Sequence, residues 1–162
     1  MNYKGFTLIE IMIIVVILSI AMVVAVPMFS GAASFQLESA TSMIAADLEY
    51  AKSLAITRQQ QYGILFDTAS DSYRLVDQDG NVITNPVTTK PYIVDFRNEG
   101  RLKNVDLAQA DFDGTATIRF DYLGSPYNGN DTAMNSGTIR LQVSSGAVEI
   151  KVEPVTGYVT IQ

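Results

Sequence analysis

At 162 residues the chain has room for one modest globular domain plus a membrane segment. It contains neither cysteine nor histidine, which excludes disulfides, thiolate or imidazole metal ligands, and any Ser-His or Cys-His nucleophilic pair. With 11 Lys+Arg against 17 Asp+Glu, a formal charge of -6, it lacks the basic stripe that phosphate binding needs; Arg97, Arg101 and Lys103 are interleaved with Asp95, Glu99 and Asp106, so nucleic acid is not an expected partner.

The opening, Met1-Asn2-Tyr3-Lys4-Gly5-Phe6-Thr7-Leu8-Ile9-Glu10, leads into an apolar stretch reaching Val26, interrupted by Ser19. Phe6 to Val26 is 21 residues, enough to cross a hydrocarbon core of about 30 Å as a helix. A secretory signal would place small residues for cleavage after its apolar region. Here the small residue beside the positive charge, Gly5, comes before that region. Any cut therefore precedes the helix and leaves it in the mature protein. Glu10 is an ionisable group inside the apolar span. The cost there is about 2.5 to 3.5 kcal/mol for charged residues at mid-helix and less near the end, so either a partner or interfacial water must compensate it.

Beyond Pro27 the helical pattern is predicted to continue to about Arg58, with Leu37, Ala40, Ile44, Leu48, Ala51 and Ala55 in one stripe and Glu38, Asp47, Glu49 and Lys52 mostly off it. Strands are predicted at 61–67, 72–76, 81–84, 92–96, 116–122, 138–143, 147–152 and 158–161. Ile118, Phe120 and Tyr122 share a face, as do Ile139, Leu141 and Val143, and Val148, Ile150 and Val152; Arg119, Asp121, Arg140, Gln142, Glu149 and Lys151 are expected to face water. That one-sided pattern predicts an α+β fold: an antiparallel sheet with its apolar face covered, the stripe on the long helix being an available partner. Residues 124–137 read as a polar loop. Asp77-Gln78-Asp79-Gly80-Asn81 and Asp111-Phe112-Asp113-Gly114 place carboxylates at alternate positions before a glycine. Neither has the spacing of a calcium loop, and Asp-Gly between strand-like runs reads as a hairpin turn. No catalytic constellation, metal site or cofactor motif emerges.

Gly5-Phe6-Thr7-Leu8-Ile9-Glu10 resembles the prepilin peptidase recognition motif of type IV pilins and type II secretion pseudopilins. The resemblance implies cleavage between Gly5 and Phe6, N-methylation of the new Phe6 amine, pairing of Glu10 with the Phe6 amine of a neighbouring subunit, and a helix bend at Pro27. Residues 48–58 (Leu-Glu-Tyr-Ala-Lys-Ser-Leu-Ala-Ile-Thr-Arg), Phe120 to Pro126, and Pro154-Val155-Thr156-Gly157-Tyr158-Val159 are similar to segments of the GspH/FimT-like minor pseudopilins. Together these imply a prepilin leader at 1–5, a transmembrane and filament-core helix at 6–28, an amphipathic continuation at 29–58 and an antiparallel β domain at 59–162. The expected function is that of a minor pseudopilin and not an enzyme. Its expected partners are prepilin peptidase, other pilin or pseudopilin subunits and an inner-membrane assembly platform. It would be held as a single-pass inner-membrane protein with a periplasmic C-terminal domain, then moved into a pilus or pseudopilus. A major pilin, and a membrane-tethered periplasmic binding domain, are the alternatives.

Overall fold

The computed structural model describes residues 6–162, the side chains of 23–32 excepted. The chain divides into two units, 1–32 and 33–162, and helix α1, Leu8–Arg58, contributes to both.

In the first unit every described side chain from Phe6 to Met22 is exposed. Ser19, the one polar interruption, donates its hydroxyl to the Val15 carbonyl one turn back (2.7 Å), so it adds no unpaired donor to the apolar surface. Among the described residues no helix is long and apolar enough to cross a membrane; the remainder of the predicted span, 23–26, lies outside the described side chains. The bend expected at Pro27 also lies outside them.

In the second unit α1 meets two antiparallel sheets. The first has the order β3-β2-β1-β5-β6, from β1 (Tyr62–Asp67), β2 (Ser72–Asp77), β3 (Ile93–Asp95), β5 (Thr117–Phe120) and β6 (Pro126–Asn128). The second is β4-β7-β8-β9, from β4 (Asp106–Phe112), β7 (Gly137–Val143), β8 (Gly146–Val152) and β9 (Val159–Ile161). All six stripe residues of α1 are buried, in one core with Tyr62, Ile64, Phe66, Leu75, Ile118 and Phe120 of the first sheet and Leu107, Phe112, Ile139, Leu141, Ile150 and Val152 of the second. Phe66 stacks on Phe112 (5.7 Å between centroids) and so ties the sheets together. Each large side chain buried here stabilises the fold by about 1.5 to 3 kcal/mol, which is why the helix stays docked despite three alanines in its stripe.

Several expectations need correction. The sheet is not one but two. β4 was not predicted: it contains no β-branched residue, and a register shift between Leu107 and Gln109 breaks its alternation. Residues 81–84 form bridges, Val76↔Val82 and Thr84↔Pro91, but no strand. The loop at 124–137 contains β6, an edge strand that opens on Pro126, where the missing N–H disrupts no interior ladder. Tyr122 is exposed at 57% because β5 ends at Phe120 and Asp121 opens a turn. Arg119 is half-buried instead of facing water, donating to the Gln78 carbonyl at 3.1 Å. Asp47, placed off the stripe, is buried.

Candidate functional site: the helix start, a buried carboxylate and a two-turn junction

Thr7 caps α1. Its Oγ1 accepts the Glu10 N–H at 3.3 Å, and its carbonyl accepts the N–H groups of Glu10 (3.1 Å) and Ile11 (3.2 Å). Thr-x-x-Glu at a helix start is the capping-box pattern, with threonine as N-cap and glutamate at the third helical position. The sequence reading missed Thr7, although this spacing was the signal for it. The cap holds Glu10 within the first helical turn, where the helix dipole favours a carboxylate, three residues after the cap and four after Phe6. Phe6 is exposed; Gly5 lies outside the described residues. The start of the helix therefore brings an aromatic residue, a cap and a carboxylate within one turn.

Asp47 is the feature that sequence reasoning did not find. Tyr73 Oη donates to its Oδ2 at 2.6 Å and Tyr92 Oη to its Oδ1 at 2.7 Å. Tyr73 comes from β2, and Tyr92 is delivered by the chain that crosses back over β2, its N–H donating to Ile83 (2.8 Å) and its carbonyl accepting from Leu75 N–H (3.1 Å). Tyr50, one turn along α1 from Asp47, stacks on Tyr92 at 6.0 Å. Burial raises the Asp47 pKa, opposed by the two tyrosine hydroxyls, and burial together with the nearby carboxylate pushes both tyrosines up. The arrangement is a polar clamp between α1 and the first sheet.

A second fixed carboxylate joins the two sheets. Asp71, buried before β2, accepts Arg97 Nε (2.8 Å) and Nη2 (2.7 Å) on Oδ2, and the Leu107 N–H of β4 (3.0 Å) on Oδ1. The two acidic turns are likewise structural. Asp77 Oδ1 accepts the N–H groups of Asp79 (3.0 Å) and Asn81 (2.8 Å). Asp111 Oδ1 accepts Gly114 N–H (2.7 Å), and Asp113 accepts the N–H groups of Asn135 (2.7 Å) and Ser136 (3.0 Å). Among the described residues no group of three or more acidic side chains is placed to hold a metal ion.

At the far end of α1 two turns meet. Gly124 N–H closes the first turn on Asp121 (2.9 Å), and Gly157 N–H closes the second on Glu153 (3.0 Å). Both glycines have positive φ, 85° and 59°. A Cβ on Gly124 would lie 3.1 Å from Ile56 Cδ1 of the helix, and one on Gly157 2.9 Å from Phe120 Cε1 and 3.1 Å from the Gly124 carbonyl. Lys52 Nζ donates to the Gly157 carbonyl at 3.1 Å. Glycine is needed at both places for backbone angle and for close approach.

Residues 40–156 match the family model for the type II transport protein GspH, and residues 1–26 match that for the prokaryotic N-terminal methylation motif. No curated protein sequence matches the chain. Among solved structures, the fold is similar to that of the minor pseudopilin EpsH from the type 2 secretion system of Vibrio cholerae, with a TM-score of 0.57 and 9% identity over 78% of this chain and 96% of that one. It is also similar to the type IV minor pilin FimU of Pseudomonas aeruginosa, with a TM-score of 0.51 and 14% identity over 80% of this chain and 90% of that one. At such identities the likeness concerns the fold.

Proposed function

The chain belongs to the GspH family of type II transport proteins and carries the N-terminal methylation motif, and on that premise we propose that it is a minor pseudopilin held in the inner membrane by residues 6–28 and then built into a filament. Prepilin peptidase cuts between Gly5 and Phe6 and the new Phe6 amine is methylated. The β domain, on the periplasmic side, then contacts other pilin-like subunits, and the chain acts mechanically, without catalysis.

The observation that carries this reading is the start of α1: an apolar helix with every described side chain from Phe6 to Met22 exposed, and a single carboxylate, Glu10, held in its first turn. Such a surface needs lipid or neighbouring helices around it. Cleavage before Phe6 creates an ammonium group close to the apolar phase, and Glu10 supplies a carboxylate there. Each is costly alone, and pairing between adjacent subunits relieves both costs.

Mass spectrometry of the protein from its native membrane should find methylated Phe6 as the first residue, and Glu10→Val should insert and be cut normally yet enter filaments several-fold less well. A wild-type chain still beginning at Met1, or full incorporation of Glu10→Val, would overturn the reading.

A further inference from the structure

The two-turn junction carries an exposed apolar surface that the helix start does not explain. Tyr122 and Leu123 sit at the tip of the first turn, Val155 in the second, Tyr158 just after it, and Ile56 on the helix against which Gly124 packs; all five are exposed, Leu123 at 69% and Val155 at 78%. The contacts at Gly124, Gly157 and Lys52 make them neighbours although they come from three separate stretches of sequence.

Val155 holds its place under strain. Its φ is +67°, a region that a β-branched residue rarely enters. Thr89 is also β-branched with positive φ, and there the hydroxyl bonds the Thr88 carbonyl at 2.7 Å, a side-chain bond that valine cannot make. The remaining positive-φ non-glycine residues are aspartates and a glutamine. At Val155 the positive φ closes a γ-turn, Thr156 N–H donating to the Pro154 carbonyl at 2.7 Å, and it leaves an isopropyl group turned to solvent within an apolar patch.

The rim of the patch is acidic. Asp121 opens the first turn, with Oδ1 engaged by the N–H groups of Leu123 (2.9 Å) and Ser125 (2.8 Å). Glu153 opens the second and has no side-chain partner among the described residues. Lys52, the cation that bonds to the junction, is already held by Glu49 (2.8 Å) and the Gly157 carbonyl. A second copy would bring the same carboxylates to the same rim, on a chain of net charge -6, so like charges oppose self-association.

We propose that Ile56, Tyr122, Leu123, Val155 and Tyr158 form a docking surface for a different pilin-like subunit of the same assembly, one that presents an apolar patch rimmed by lysine or arginine. The proposal rests on the reading of the chain as a filament subunit.

The test uses the full chain in detergent micelles against each of the other pilin-like subunits of the same host, purified singly, with binding read by interferometry at low and high salt. One subunit should bind, less tightly at high salt. Leu123→Ser and Val155→Gly should each weaken it about tenfold or more, the loss expected for one apolar side chain of an interface centre. Val155→Gly should at the same time keep or raise the melting temperature, since glycine relieves the backbone, a result that a merely structural role would not produce. Binding to none of the subunits, unchanged binding by both variants, or self-association of the wild type in place of hetero-association would each overturn the proposal. Methylated Phe6 in the same preparation would leave the filament reading standing if docking failed.

Discussion

Replacing Asp47 by asparagine and by alanine should give very different results, because the clamp needs acceptors more than it needs charge. Tyr73 is 1% exposed, so its hydroxyl has no water to turn to, whereas Tyr92 is half-buried and can reach solvent. Burial, partly offset by the two tyrosine hydrogen bonds, raises the folded pKa of Asp47 above its ordinary 3.8. The fold thus favours the neutral acid relative to the unfolded chain: this contribution is fully present below the unfolded pKa and is lost as pH rises through the folded one. Asparagine is neutral and of the same shape; its carbonyl can accept from Tyr73 and its amide can donate to the Tyr92 oxygen. Asp47→Asn should therefore change stability at neutral pH by less than about 1 kcal/mol.

Asp47→Ala removes both acceptors. An orphaned Tyr73 hydroxyl costs about 1 to 3 kcal/mol, the small cavity adds about 1 kcal/mol, and the better helix propensity of alanine returns about 0.5 kcal/mol. A net loss of about 1.5 to 3.5 kcal/mol follows, equivalent to a fall in Tm of roughly 10 °C for a domain of this size. Circular dichroism of the full chain in micelles, on heating and in urea, would measure it. The wild type should also gain stability relative to Asp47→Asn as pH is lowered toward about 4, a difference in which the other carboxylates cancel. Equal losses in the asparagine and alanine variants, or a wild-type-to-asparagine difference that ignores pH, would refute the reasoning.

Asp71 should behave in the opposite sense. Burial would raise its pKa but is outweighed by the Leu107 N–H, Arg97 and Asp106, and the net shift is downward. Its stability is present above the unfolded pKa and lost as pH falls through the folded one, so Asp71→Asn should cost about 2 to 3 kcal/mol at neutral pH and flatten the acid limb of the urea-midpoint profile. Gly63→Ala would set a Cβ 2.3 Å from the Ile118 carbonyl oxygen in the β1–β5 ladder. Limited proteolysis should show that sheet opening, with a loss of about 3 kcal/mol or more.

What the sequence disclosed and what it hid follow from the range of the interactions involved. The helix stripe is a local periodicity, and every one of its six residues is buried as expected. β7 and β8 were legible for the same reason, since Ile139, Leu141, Ile150 and Val152 alternate without interruption. β4 was not: Leu107 and Phe112 both point into the core although five positions apart, which strict alternation forbids and the bulge between Leu107 and Gln109 permits. Asp47 sits at helical spacing from both Ala40 and Ile44, so its position did place it on the buried face. Only its charge argued otherwise, and the two tyrosines that make its burial tolerable lie 26 and 45 residues away. At the helix start, the same string that carries the processing motif also spells a helix cap, and reading the first obscured the second.

Three stretches of sequence that look independent, 48–58, 120–126 and 154–159, turn out to be one physical object. Each turn needs a glycine at positive φ, and each glycine is also the point of closest approach: Gly124 to Ile56, Gly157 to Phe120 and to the Gly124 carbonyl. Lys52 locks the set by reaching the Gly157 carbonyl from the helix. The glycines and Lys52 are thus needed to bring both turns onto the end of α1, whereas the side chains of Leu123 and Val155, adjacent to or two positions from those glycines, are exposed. A junction built in this way separates its tasks: substitutions at the glycines should damage the fold, while substitutions at the tips should leave it intact and change what the surface can hold.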